Sequence, residues 1–254
     1  MVVITKNEEQ NIGDCLASVA WADEIVVVDA ESHDQTVPLV RRYTDRVFIR
    51  PWPGFGPQKN FAIDQATSAW ILVLDADERV EPALRQEIES ILGQDPQATA
   101  GYVIPRKNFY YGAWIRGAGC FPDLQTRLFR RGKGRYNNIP VHEHLVIDGP
   151  VGRLDAPLTH FTERRIEDHF RKFDAYTTLA AEDKARRGVR PRPWTLICGP
   201  PATCFKAYVL KRGFRDGVRG LIVSVFAGFY TFIKYFKLWE RWIVGSSPGH
   251  ADRA

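Results

Sequence analysis

The apolar residues of the first eighty positions come in short blocks, each ended by polar or turn-forming residues. "VVIT" (2–5), "EIVVVDA" (24–30), "RVFIR" (46–50) and "WILVLDAD" (70–77) are short and nearly continuous, and read as strands buried on both faces. Helix-like stretches separate them: "EEQNIGDCLASVAWA", "HDQTVPLVRRYT" and, after "PWPGFGPQKN", "FAIDQATSA". This alternation predicts an α/β fold, a mostly parallel sheet with flanking helices. Ligands of such sheets bind outside the carboxyl ends of the strands. Thr5, Asp29 and Asp75 lie at the ends of their blocks and are therefore predicted to share one edge.

The second half is less regular. "GYVIPR", "QTRLFRR" and "HLVIDG" read as strands, separated by the aromatic "NFYYGAW" and the turn-rich "RGKGRYNNIP". After Glu163, residues Ile166, Phe170, Phe173, Tyr176 and Ala180 recur at three- and four-residue spacing, which predicts an amphipathic helix ended by Gly188 and "RPRPW". "CGPP" reads as a break before the last apolar segment, "GLIVSVFAGFYTFIKYFKLWERWIV". Its uncharged run, Gly220–Ile233, is 14 residues long. Spanning a bilayer takes about 20. Tyr230, Tyr235, Trp239 and Trp242 mix there with Lys234, Lys237 and Arg241, the dressing of a membrane interface. The pattern thus divides the chain into a sheet domain over 1–162 and a helical, membrane-associating region over 163–254.

Charge sharpens this division. The net charge is +5, yet Lys184–Arg219 alone carries ten Lys or Arg against the single acid Asp216, so the remainder is acidic. A basic block directly before an aromatic, apolar segment fits an anionic membrane face better than nucleic acid. Cys15, Cys120, Cys198 and Cys204 show no paired spacing, and are expected to be reduced thiols of a cytosolic compartment. The chain opens almost directly in its first strand, and no cleavable leader is expected.

Two carboxylates one residue apart, Asp75 and Asp77, repel each other unless a cation lies between them. An apolar strand ending in D-x-D also begins the haloacid-dehalogenase-type phosphatases. Here, however, three strands precede the D-x-D, and no later paired acidic motif follows it. The successive stretches "ITKNEEQNI", "VVVDAESHDQT" and "QKNFAIDQATSAWILVLDADE" resemble, in order, the motifs of family 2 glycosyltransferases, and the resemblance resumes at "RLFRR", "VHEHL" and "DGVRGLIVSVFAGFYTFIKYFKLWE". The likeness is to the bacterial lipopolysaccharide-core branch that contains heptose β-1,4-glucosyltransferases.

The resemblance implies a GT-A fold and a metal-dependent, inverting transfer of a hexose from a nucleotide-sugar, expected to be UDP-linked, to a lipid-linked saccharide. Transfer to a polyprenyl phosphate carrier is the alternative. It implies a Mg²⁺ or Mn²⁺ ion held through Asp75 and Asp77, with Asp77 the direct ligand and Asp75 facing the ribose or a metal-bound water; hard oxygen donors suit these ions. Thr5, Asn7, Glu8, Asp29, Ser32, Asp34, Lys59, Asp75 and Ala76 fall on the donor side, with an N-cap as the plain alternative for Ser32 and Asp34. Within "DAESHDQT" the family usually shows a small residue and a glycine, from which Ala30–Glu31–Ser32–His33 departs; His33 is expected to face solvent. Glu143 of "VHEHL" is the candidate base, and His142, His144 or His160 a further metal ligand, His160 being the one favoured. Arg127 and Arg130 either meet an anionic ligand or face solvent. The expected location is the cytoplasmic face of the bacterial inner membrane, peripheral or monotopic.

Overall fold

The structure is a computed structural model that describes residues 1–94, 98–137, 144–163 and 165–246. The elements, in chain order, are β1 (Val2–Thr5), α1 (Ile12–Ser18), β2 (Val26–Asp29), α2 (Thr36–Val40), β3 (Val47–Ile49), α3 (Phe55–Gln65), β4 (Trp70–Asp75), β5 (Glu78–Arg79), α4 (Pro82–Gln94), β6 (Gly101–Tyr110), β7 (Ala113–Trp114) and β8 (Asp123–Arg130). They continue with β9 (Gly134–Tyr136), β10 (Leu145–Ile147), β11 (Val151–Arg153), β12 (Leu158–Glu163), α5 (Ile166–Arg186), α6 (Pro193–Ile197), α7 (Gly199–Phe205) and α8 (Gly217–Ser246). Two compact units result, one from 1–108 with 122–162, the other from 109–121 with 163–254.

In the first unit the sheet order is β3-β2-β1-β4-β8-β6-β12-β5. The four strands read from the sequence are parallel, and β8 joins β4 antiparallel. Alternate strand residues feed two cores. Val3, Val27, Leu72 and Leu74 meet α1 and α4 through Leu16, Leu84 and Ile88; Val2, Ile4, Val28 and Val73 meet α3 through Ala62 and Ile63. Each of these valines, leucines and isoleucines contributes about 1.5–3 kcal/mol by leaving water.

Several boundaries differ from the sequence reading. The third helix begins at Phe55, after Gly54 at φ 112°, so Lys59 and Asn60 lie inside it rather than ahead of it. Helix α4 and strand β12 are absent from that reading. The "CGPP" stretch does not break the chain, because proline in a first turn has no amide hydrogen to lose, and α7 starts there. In the second unit α7 runs through a π turn (Lys206–Leu210) and a 3₁₀ turn (Gly213–Asp216) into α8, forming a helical hairpin. Its tip is held to the 109–121 segment, whose Arg116 and Gly117 amides donate to the Asp216 carboxylate at 3.1 and 2.7 Å.

Candidate active site

The parallel register sets Thr5 beside Asp29 and Ile4 beside Asp75, so the three predicted residues share the carboxyl edge of neighbouring strands. The loops that follow β1 and β2 are stitched together above that edge. Ser32 donates its amide and hydroxyl to the two Asp29 oxygens (2.8 and 2.5 Å), and its Oγ accepts the Asn7 amide at 2.8 Å. The Asn7 Oδ1 accepts the His33 amide at 2.9 Å, and the Glu8 amide donates to Thr36 Oγ1 at 2.7 Å. Asp34 accepts the Thr36 and Glu9 amides, the former an Asx turn; the residue before α2 is Gln35, so neither Ser32 nor Asp34 is its N-cap. Glu31 stands at φ 56°, a left-handed conformation that glycine takes without strain, which locates the departure of "DAESHDQT" from the family pattern. His33 is exposed, as expected. Thr5 is buried, its Oγ1 without a hydrogen-bond partner among the described residues.

Below the D-x-D lies a buried ion network. Asp75 meets Lys59 of α3 at 3.0 Å and Arg127 of β8 at 2.5 Å, one cation on each oxygen. Arg127 (4% exposed) also meets Glu78 (0% exposed) at 2.6 Å. Glu78 accepts in addition from Arg106 at 3.1 Å and from the Asp75 amide at 3.0 Å. Arg106 bonds Asp123 at 2.6 Å, directly across the β6–β8 ladder. Three acids, Glu78 fully buried and Asp75 and Asp123 partly exposed, thus face three bases. Burial pushes the Asp75 carboxyl up, but Arg127 and Lys59 outweigh it and hold the group well below the ordinary 3.8. Burial alone would lower Arg127; Asp75 and Glu78 reverse this and raise it well above its ordinary value. The Lys59 ammonium also lies 5.1 Å from the centre of the Tyr136 ring, and Asn60 clasps the Tyr136 backbone at 2.8 and 2.9 Å.

Asp77 has a different neighbour. Pairing of β12 with β5 sets His160 opposite Glu78, and the Phe161 amide donates to the Asp77 carbonyl at 2.9 Å. His160 Nε2 then stands 3.4 Å from Asp77 Oδ2. The imidazole tautomer follows from what lies behind it. Burial pushes the Asp123 carboxyl up, yet Arg106, Asn108 and Gln125 keep it below the ordinary 3.8, so it only accepts. Asn108 must therefore turn its Nδ2 to Asp123 (3.1 Å) and its Oδ1 to His160 Nδ1 (2.7 Å). Nδ1 therefore donates to Asn108, and Nε2 is the nitrogen that faces the Asp77 carboxylate.

Among the described residues no three His, Cys, Asp or Glu side chains converge as a metal site. Two donors do: adjacent ligands of an octahedral ion with bonds of about 2.1 Å lie roughly 3 Å apart, close to the Asp77–His160 spacing. Ala76 buries its methyl group in the core, and its carbonyl accepts from Arg79 at 3.0 Å. His144 is exposed and bonds Asn137 at 2.7 Å, and Arg130 lies over the Trp70 ring at 4.6 Å. Glu143 and His142 lie outside the described residues. Glu78, Arg106, Asn108 and Asp123 were not legible as site residues. Only the glutamate, adjoining the D-x-D, carried a local signal.

Residues 1–158 match the family described as Glycosyl transferase family 2. The lipopolysaccharide core biosynthesis glycosyltransferase LpsC of Rhizobium meliloti (strain 1021) is 33% identical over 98% of this chain and 95% of its own. An uncharacterized glycosyltransferase of Rickettsia typhi is 29% identical over 94% of this chain and 85% of its own. Among solved structures, the mannosyltransferase PcManGT of Pyrobaculum calidifontis, in complex with GDP-Man and Mn²⁺, superposes with a TM-score of 0.52 at 15% identity, over 94% of this chain and 86% of that one. That likeness is one of fold, the GT-A arrangement of a mostly parallel sheet between helices.

Proposed function

Because the chain belongs to glycosyl transferase family 2, and so is a nucleotide-sugar-dependent glycosyltransferase, we propose that it extends a lipid-linked saccharide of the lipopolysaccharide-core type by a metal-dependent, inverting transfer. The observation that carries the reading is the Asp77–His160 pair beside the strand-end group of Thr5, Asp29 and Asp75. The LpsC relative supports a saccharide acceptor over a polyprenyl phosphate.

Asp77 and His160 would hold a Mg²⁺ or Mn²⁺ ion, whose charge, when bound, neutralises the departing diphosphate. Asn108 keeps the proton off the ligating nitrogen of His160, a role typical of residues behind a metal-bound histidine. Asp75, fixed from below by Lys59 and Arg127, retains lone pairs for a ribose hydroxyl, since a carboxylate accepts at about four sites. The stitched loops bearing Asn7, Glu8, Asp29, Ser32 and Asp34 hold a rigid wall for the nucleoside; Thr5 and the Ala76 backbone complete that side. In the transfer, the Glu143 carboxylate takes the acceptor hydroxyl proton while that oxygen attacks the anomeric carbon. The opposite carbon–oxygen bond breaks, and the nucleoside diphosphate leaves with the bonding electrons.

The second unit would place the protein on the cytoplasmic face of the bacterial inner membrane. Its support is the basic run from Lys184 to Arg219 and a helical span, Gly213–Ile243, long and apolar enough to cross a membrane by length and composition. The test of the function is a donor screen that follows nucleoside diphosphate release with isolated core lipopolysaccharide as acceptor. One nucleotide-sugar should give release dependent on both acceptor and divalent cation. Release from no donor, or full release in chelator, would contradict the reading.

A further inference from the structure

Between Leu221 and Trp239 the exposed side chains of α8 are Leu221, Val225, Phe229, Phe232, Phe236 and Trp239. All are apolar, whereas Ser224, Lys234 and Lys237 turn inward. At about 100° per residue, the six fall within roughly 40° of one line along the helix. The other two sectors are covered within the same unit. About 130° round from the stripe, α5 packs alongside: Phe226 stacks on His169 at 4.0 Å, Lys237 bonds Asp174 at 2.7 Å, and Arg241 bonds Glu182 at 2.6 Å. The other way round, the α7 arm approaches: about 60° from the stripe a Cβ on Gly228 would come 2.8 Å from the Pro200 carbonyl, and about 120° from it Thr231 meets Thr203 at 3.4 Å.

This arrangement decides between two ways of meeting a bilayer. A spanning α8 would carry residues 226–241 through the hydrocarbon, and α5 with them. The Asp174 side chain, 81% exposed although paired with Lys237, and the exposed, charged Arg171 would then be carried into the hydrocarbon, where charged side chains are costly. With α8 in the plane of the surface, α5 stays on the water side and only the stripe is immersed. The flanking charges fit an anionic leaflet. Lys206, Lys211, Arg212, Arg215 and Arg219 are exposed around the hairpin tip. At the far end Arg190 and Arg192 lie over the Trp242 and Trp194 rings at 5.0 and 5.7 Å.

Resting on the membrane reading above, we infer that α8 lies parallel to the bilayer, its Leu221–Trp239 stripe sunk into the headgroup–acyl boundary of an anionic leaflet, and does not cross the membrane. The hairpin is then a keel, and a second copy of the chain is not what covers the stripe.

The test is nitroxide depth measurement on the full chain. Cys120, Cys198 and Cys204 are changed to Ser, and single cysteines replace Leu221, Val225, Phe229, Phe232 and Phe236 in turn. Buried Cys15 is left in place. In vesicles of phosphatidylcholine with about one-third phosphatidylglycerol, all five labels should report one shared depth, about 5–10 Å below the phosphates. A depth that changes progressively from residue 221 to residue 236 would overturn the in-plane geometry and keep the membrane reading. No oxygen-rich contact at any position would overturn both. Labels equally immobilised without vesicles, with spin–spin broadening between chains, would assign the stripe to self-association and likewise overturn the inference.

Discussion

Replacing Arg127 by methionine removes one guanidinium and keeps most of the side-chain volume. It takes from Asp75 the partner at 2.5 Å and from Glu78 the partner at 2.6 Å. Breaking a buried pair from one side costs about 3–5 kcal/mol. The lower end applies, because Lys59 stays on Asp75 and Arg106 on Glu78. A loss of about 3 kcal/mol in a unit of this size lowers its melting temperature by roughly 6–12 °C. The pH dependence separates charge from packing. In the wild type the Asp75 carboxyl is held below 3.8, so its stabilisation is present above that value and lost as pH falls through the folded-state value. The variant lacks most of this contribution at every pH. The gap between the proteins, followed by calorimetry, should therefore be full at about pH 7 and narrow below about pH 4. A gap under about 1 kcal/mol, or one unchanged with pH, would refute the ionic account and leave Arg127 as packing.

Asn108→Leu should move the His160 proton from Nδ1 to Nε2, read in the ¹⁵N shifts of the ring, and weaken Mn²⁺ binding by about 10- to 100-fold; an unchanged tautomer would remove Asn108 from its positioning role. Glu143→Gln should slow turnover by roughly 100- to 10,000-fold while donor binding stays near normal. Unchanged turnover with weaker acceptor binding would reassign Glu143 to recognition.

The parallel half of the fold was legible because each of its strands is a compact apolar block, and a strand buried on both faces admits little else. The edge position of Thr5, Asp29 and Asp75 followed from that alone, and the structure pairs them in register. What lies beneath was not legible. Arg106 meets Asp123 because β6 and β8 pair antiparallel, and His160 reaches Asp77 because β12 pairs with β5. Neither pairing leaves a local spacing in the sequence. Arg127 could not be decided for the same reason, since an arginine in "TRLFRR" reads alike on a solvated strand and over a buried acid. The 14-residue uncharged run understated α8, because Lys237 bonds Asp174 of α5 and Lys234 lies over the Tyr230 ring of its own helix, so that neither ends the apolar face.

The central claim is that Asp77 and His160 hold a cation together with the donor diphosphate. It is tested most directly by Mn²⁺ titration, followed by electron paramagnetic resonance, with and without UDP, on the wild type, Asp77→Asn and His160→Ala. The account predicts that UDP tightens Mn²⁺ binding to the wild type. Each variant should lose most of that nucleotide-dependent gain, by about 10-fold or more, while its melting curve shows it folded. Mn²⁺ binding that is indifferent to UDP, or equal in all three proteins, would contradict it.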